Sequence, residues 1–288
     1  MPESLVNTKR RIATIRSTKK ITKAMKLVAS VKYQRWKKMY DENLPYYSNM
    51  KEVMQETLSG IDFSDVSLPY LLQGNHTDKV LYVIVSSSLG LCGAYNYNLF
   101  KMIDPLIHEQ DELFLIGQKA LTHYQNSGNK IYDDYVTLMD QYTYSAVRRM
   151  RHQILRLYKT GKYSKVVLVY TEYKNSLTFT PICHTLVPIE VDKDYKESLN
   201  GPLFEPKGED VLDEVLPHYI DSSLYRKLME SEISELSSRR NAMETATDSA
   251  DKIQSQLQLE YNKARQNAIT QEITEVVGGA NAGKEKED

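Results

Sequence analysis

Two cysteines, six histidines and one glycine-containing turn are the residues with which this chain could do chemistry of its own. Cys92 lies in Ser86-Ser87-Ser88-Leu89-Gly90-Leu91-Cys92-Gly93, after an apolar run and before a helical one. An α/β fold receives a phosphate or a substrate at such a place, where backbone N–H groups converge. The spacing argues against it. Only Gly90 and Gly93 of a GxGxxG pattern are present, and no GxxxxGK[ST] occurs in the chain. A tight strand-to-helix turn is therefore favoured over a ligand site, and Cys92 as a nucleophile is weaker still. His76, His108, His123, His152, His184 and His218 are scattered without metal-ligand spacing. His184 follows Cys183, but alternation along a strand points neighbours to opposite faces. Asp133-Asp134 has no carboxylate partner at helical spacing. No catalytic constellation, metal site or cofactor site is assembled, so any chemistry must come from another chain.

The elements around these residues change character along the chain. Lys79–Ser86 is a β-branched run of the kind covered on both faces of a sheet. Helix-like 93–107, strand 112–116, short helix 118–126 and strand 130–135 follow. Thr143–Thr160 is a basic amphipathic helix closed by Gly161, then come strand 165–173 and a hairpin partner over 177–189. This order implies a three-layer α/β domain with a mainly parallel sheet. Of the 288 residues, 41% are hydrophobic and 26% charged, the balance of a soluble globular chain. No run is long and apolar enough to span a bilayer. The first residues lack an apolar secretory core, and two cysteines suit a reducing compartment.

Both flanks read as very long helices. From Ser4 to about Leu58 there is no Gly and one Pro, Pro45, expected to kink the helix without ending it. Ile21, Ala24, Val28 and Val31 step by 3, 4, 3, the spacing of a coiled-coil seam. From Glu209 to Val277 there is again no Gly, and Gly278-Gly279 is expected to end the helix. Leu236, Met243, Ala250, Leu257 and Ala264 repeat by seven. The companion row Arg239, Ala246, Ile253, Glu260, Asn267 is apolar only in its middle, so the partner should leave or change character after about Leu257.

The two flanks are electrically opposite. Ser4–Tyr40 carries twelve Lys/Arg and no acid, while Glu209–Glu275 carries fourteen acids against seven bases. A basic arm can bind nucleic acid, adsorb to a membrane surface, or pair with an acidic helix of its own chain. Intrachain pairing is favoured, because the opposite charge is present in the other long helix and no aromatic residue interleaves the basic run before Tyr33. If the helices pair, they form a stiff rod. The longer C-terminal helix outreaches its partner, and Ile269, Ile273 and Val276 make a fresh apolar stripe on its tip.

Several stretches resemble the gamma subunit family of F-type ATP synthases. Lys20-Ile21-Thr22-Lys23-Ala24-Met25-Lys26-Leu27-Val28-Ala29-Ser30-Val31-Lys32 is similar to the family's N-terminal motif. Ala242-Met243 with Ala246-Thr247-Asp248, and then Leu259 through Ala280, resemble its C-terminal fingerprint. Gly90-Leu91-Cys92-Gly93-Ala94-Tyr95-Asn96 resembles the head motif, and Phe204-Glu205-Pro206 the foot segment. The resemblance spans about residues 4–282. Ser88 and Leu89 depart from it, standing where the family usually has Asp followed by Lys or Arg.

The resemblance implies a long antiparallel two-helix coiled coil formed by the N- and C-terminal helices, plus a three-layer Rossmann-like α/β head domain. The segments are 1–58, 78–192 and 209–280, with a charged tail over 281–288. It implies a central-stalk rotor without a catalytic site or cofactor, turned by a proton-driven membrane ring for ATP synthesis or hydrolysis. Partners would be the alpha and beta subunits, with epsilon and the c-ring, and no nucleic acid or small-molecule substrate. The location would be the cytoplasmic face of a bacterial membrane. Arg265 and Gln266 would meet the beta catch loop, Met25 and Lys26 the lower lobe of beta. Ile269, Ile273 and Val276 would form the bearing tip, Glu205 and Gly90 the foot. Ile21, Val28, Met243, Ala250, Ile253 and Leu257 would line the seam. The alternatives are the rotor of a diverged F-type-like ATPase without a proton turbine and, more remotely, a basic-helix nucleic-acid binder.

Overall fold

A computed structural model describes residues 2–59, 71–72, 74–138, 143–189 and 208–284. They fall into two compact units, one built from residues up to Ala29 and from Arg240 onward, the other from Ser30 to Arg239.

In the second unit the apolar runs form a five-stranded sheet: β1 (Val80–Val85), β2 (Glu112–Ile116), β3 (Lys130–Tyr132), β4 (Lys165–Tyr173) and β5 (Phe179–Val187). The order is β3-β2-β1-β4-β5, parallel except for β5, which runs antiparallel to β4 as the hairpin reading expected. β1 and β2 are buried along their whole length, which explains their unbroken apolar sequence. Alternate residues serve two cores. Tyr82, Ile84, Leu113 and Leu115 face Leu99 and Ile103 of α2 (Tyr95–Ile103) and Ala120 and Tyr124 of α3 (Gln118–Tyr124). Leu81, Val83, Phe114 and Leu168 face Val147, Met150 and Ile154 of α4 (Tyr144–Tyr158).

That second face is completed by the long helices themselves. Met54 and Leu58 of α1 (Pro2–Ser59) and Leu212, Leu216, Ile220, Leu224 and Leu228 of α5 (Gly208–Lys284) belong to the same core. The sheet and its own helices therefore do not make up a self-contained core over 78–192. Pro45 and Pro217 both lie inside helices. Thr143 caps α4, its side chain accepting from Ala146 N, and Gly161 takes the left-handed conformation just beyond the helix at φ 74.

Two polar anchors are buried in this unit. Arg151 of α4 forks onto Asp221 of α5, at 2.8 and 3.2 Å. Glu112 opens β2 and accepts from Lys79 Nζ at 2.6 Å, from Tyr132 OH at 2.8 Å and from Tyr163 OH. Burial opposes its ionisation, but these donors prevail and hold its carboxyl down at about 2.

In the first unit α1 and α5 run antiparallel, as expected. Lys19 pairs with Asp251, Thr22 Oγ1 lies 2.8 Å from Thr247 Oγ1, and Lys26 Nζ lies 2.7 Å from Glu244. Each pair sums to 269 or 270, so the register is regular. Met243, Ala250 and Leu257 are buried, as the repeat by seven required. Three seam assignments are corrected. Ile21, Val28 and Ile253 are exposed, at 58%, 58% and 43%. The buried row of α1 is Ile12, Thr22 and Ala29, with Ile15, Lys19 and Lys26 half-buried between them. Its partner row in α5 includes half-buried Thr247 and Gln254, with Gln254 in place of Ile253. Ile21, Val28 and Ile253 each lie one position away from a residue that packs, Thr22, Ala29 and Gln254. Polar side chains share this interface with Ile12, Met243 and Leu257, and the Thr22 and Thr247 hydroxyls satisfy one another there.

Full burial stops at Leu257, but half-buried Tyr261, Ala264 and Ala268 carry the contact row on, level with Thr8 and Leu5 in the same register. α5 also continues through Gly278-Gly279 to Lys284. Glycine costs a helix interior only about 1 kcal/mol, and propagation from an existing helix needs no new nucleus.

Candidate functional site

The Ser86–Gly93 turn is built from its own side chains. Ser86 Oγ accepts from Ala120 N at 2.8 Å and so ties the turn to α3. Asn96 bridges the loop: its Oδ1 accepts from Ser87 N at 3.1 Å and its Nδ2 donates to Ser87 Oγ at 2.7 Å. The other side is held by α5. Ser238 Oγ donates to the Cys92 carbonyl at 2.6 Å, and Arg239 Nη2 to the carbonyls of Leu89 and Gly90 at 3.0 and 3.3 Å. Tyr95 OH lies 2.7 Å from Ser231 Oγ. Gly117, facing the turn across the sheet, has φ 92, and a Cβ there would fall 2.1 Å from the Ser86 carbonyl, so only glycine fits.

This geometry decides the chemistry. The carbonyls of Leu89, Gly90 and Cys92 are taken up by donors from α5, which fastens the turn. Cys92 is buried, and desolvation pushes its thiol up, so it stays protonated and a poor nucleophile. Cys183 and His184 point to opposite faces, as alternation required: Cys183 Sγ lies 3.5 Å from Met102 Sδ, whereas His184 shares its side of the sheet with Lys227. Burial, followed by the charge of Lys227, drives His184 down to about 4, so it is neutral at neutral pH. Among the described residues no group of three or more His, Cys, Asp or Glu is placed to hold a metal ion.

What the turn does present is apolar. Leu89 and Leu91 project into solvent at 69% and 63% exposure, Leu91 with φ 63, a conformation uncommon for leucine. Gly90 lies between them, beside Ser238 and Arg239, the last residues before α5 passes into the first unit. Glu205, its expected companion in the foot, lies outside the described residues.

The second surface is the far end of α5. In the observed register Leu5 of α1 lies level with Ala264, and Ile269, Ile273 and Val276 beyond it stand exposed. Arg265 and Gln266 are exposed one turn before them, and the Arg265 guanidinium makes no ion pair among the described residues. Met25 is half-buried. Lys26 is committed to Glu244, whose carboxyl it lowers through that hydrogen bond and its charge. The outer side of α1 adds exposed Ile21, Leu27, Val28 and Val31, although the 3, 4, 3 spacing that includes Ile21, Val28 and Val31 predicts a seam.

Comparison with known proteins finds relatives over nearly the whole chain. The family model described as ATP synthase matches residues 4–282. The ATP synthase gamma chain of Heliobacterium modesticaldum is 38% identical over 285 residues, covering 95% of this chain and 97% of that one. That of Mycoplasma mobile is 36% identical over 274 residues, covering 94% and 96%. Among solved structures, a chain of the Euglena gracilis mitochondrial ATP synthase, in an OSCP/F1/c-ring structure, superposes with a TM-score of 0.67 at 16% identity. It covers 98% of this chain and 95% of that one. A chain of the rotor structure from the same organism gives 0.62. At this identity the structural likeness establishes the fold.

Proposed function

Because the chain belongs to the ATP synthase gamma chain family, we propose that it is the central-stalk rotor of an F-type ATP synthase, carrying rotation between a proton-driven membrane ring and the catalytic alpha and beta subunits. The observation that carries this reading is the antiparallel pairing of α1 and α5 at Lys19–Asp251, Thr22–Thr247 and Lys26–Glu244, with α5 running on past its partner. A paired shaft with a single-helix tip can turn inside a ring without being locked to one wall. ATP chemistry belongs to the partner subunits in this reading.

Arg265 and Gln266 are assigned to the beta catch loop. A guanidinium offers a fixed fork of donors that grips a carboxylate, and Arg265 is exposed for the purpose. Contact with one conformation of that loop and not with the others biases the conformational equilibrium, as a mechanical drive requires. Ile269, Ile273 and Val276 are assigned to the bearing. Met25 is assigned to the lower lobe of beta, with Lys26 positioned by Glu244 to support it. The Gly90 turn, which presents Leu89 and Leu91 to solvent, is assigned with Glu205 to the foot, beside epsilon and the c-ring. No described helix is long and apolar enough to cross a membrane, so the chain is proposed to sit peripherally, at the cytoplasmic face of a bacterial membrane.

The test is assembly followed by a single substitution. Co-purification with alpha and beta in one complex is expected, and a chain that ignores both refutes the reading. In that complex Arg265→Ala is expected to leave folding and assembly intact and to lower the ATPase rate by about tenfold, the loss of one charged contact of ~1.4 kcal/mol. An unaltered rate removes Arg265 from the drive.

A further inference from the structure

Inside the second unit, α1 and α5 meet through more than apolar packing. Arg226 of α5 stacks its guanidinium on the ring of Tyr40 of α1, 3.9 Å from the centroid, with Tyr47 5.2 Å away, one heptad further along the same helix. Arg226 Nη1 donates to the Tyr40 carbonyl at 3.3 Å. The Tyr40 hydroxyl donates to Glu230 Oε1 at 2.8 Å, and that same oxygen lies 3.8 Å from Arg226 Nε. The Arg226 and Glu230 side chains are only 9% and 13% exposed. Beside them Lys227 lies over Tyr47 and over Tyr170 of β4, at 5.9 and 5.7 Å from the ring centroids.

A buried ion pair is not a favourable route to stability, since apolar replacements of similar volume commonly do as well or better. What such a group supplies is direction. Apolar burial scales with area and is less directional than a hydrogen bond or a stacked pair. Sliding one helix past the other by a single turn, ~5.4 Å, would break the stack, the carbonyl contact and the Tyr40–Glu230 bond together. The coiled-coil unit holds its register by weaker means. Its buried positions include Thr22, Ala29 and Ala250, and its cross-helix ion pairs leave a third to a half of each side chain in solvent, where such pairs contribute little.

We propose that Tyr40, Arg226 and Glu230 form a register lock, which sets the axial position of α1 against α5 in the second unit so that the two continuous helices carry that position into the coiled coil. The lock is a property of the chain's own helices and does not depend on the rotor reading.

Cysteine cross-linking in the full chain tests it without any partner. In a Cys183→Ser background, Thr22→Cys with Thr247→Cys reports the native register, because the two hydroxyl oxygens lie 2.8 Å apart. Thr22→Cys with Asp251→Cys reports a slip of one turn. The parent is expected to cross-link through the first pair and not the second. Arg226→Met with Glu230→Leu keeps the site filled and removes its directionality. It is expected to keep the parent's melting temperature or exceed it, to lose at least half of the first cross-link and to gain the second. Tyr40→Phe, which removes one hydroxyl, is expected to shift both yields in the same direction by a smaller amount. Parental yields in both variants overturn the lock. Should the double variant fail to fold, Tyr40→Phe decides alone, and parental yields there overturn it equally.

Discussion

Along the coiled coil, α1 and α5 meet through Ile12, Thr22 and Ala29 on one side and Met243, Ala250 and Leu257 on the other. Inside the α/β unit the same two helices contribute Met54, Leu58, Leu212, Leu216, Ile220, Leu224 and Leu228, and bury Arg151–Asp221 and Arg226–Glu230 besides. One region mixes large with small knobs, a shared pair of hydroxyls and half-solvated ion pairs. The other has large knobs and sequestered charges that back onto a sheet. The difference shows that a single helix can be anchored over one stretch and lightly held over the next. In the second unit the sheet covers the pair as a further layer, whereas in the first unit the described residues are those of α1 and α5 themselves.

The largest effect should come from the anchored region. Arg151→Ala leaves Asp221, 2% exposed, as a buried charge without its partner, and is expected to cost about 3–5 kcal/mol in denaturant unfolding. A loss below 1 kcal/mol would mean that Asp221 finds water, and the contrast between the regions would shrink.

Acid should attack the same region first, through two groups with opposite behaviour. His184 is held neutral by burial, with a folded value of about 4 against 6.5. The unfolded chain binds its proton more readily, so stability should fall as pH drops from about 6.5 to 4. Glu112 is held ionised, with a folded value of about 2 against 4.5. Its contribution is present above about 4.5 and is lost between there and 2. Glu112→Gln should flatten the lower window only, and His184→Gln the upper. Thermal melting across pH distinguishes them.

The coiled coil offers the smallest and most discriminating pair of changes. Leu257→Asp places a charge at a seam position that is 4% exposed, and should cost about 2 kcal/mol or more. It should speed amide exchange along α5 near the seam while the sheet keeps its protection. Ile253→Asp, four residues away on the outer side, should change stability by no more than about 0.5 kcal/mol. Equal effects would restore Ile253 to the seam.

The sequence announced what depends on repeated apolar chemistry. The β1 and β2 runs, the hairpin of β4 with β5, and the row Met243, Ala250, Leu257 all lie where their patterns put them. It concealed what depends on polar groups packing in place of apolar ones. Thr22, Lys19, Lys26, Thr247 and Gln254 occupy the seam, so hydrophobic spacing points to Ile21, Val28 and Ile253, one position off. The opposite charge of the two helices was the better guide, since Lys19–Asp251 and Lys26–Glu244 fix the true register. The merging of the long helices into the α/β core was also hidden, because Leu212 through Leu228 looks the same whether it faces a helix or a sheet. The Gly90 turn was legible as a turn, whereas its fastening to Ser238 and Arg239 joins residues nearly 150 positions apart and leaves no local pattern.

The outward row of Ile21, Leu27, Val28 and Val31 bears on the life of the polypeptide before it is used. Contiguous greasy surface on a solitary soluble molecule invites self-association. A cell that overproduces this chain without its companions should find it in inclusion bodies or at the protease, and balanced co-expression should rescue its yield.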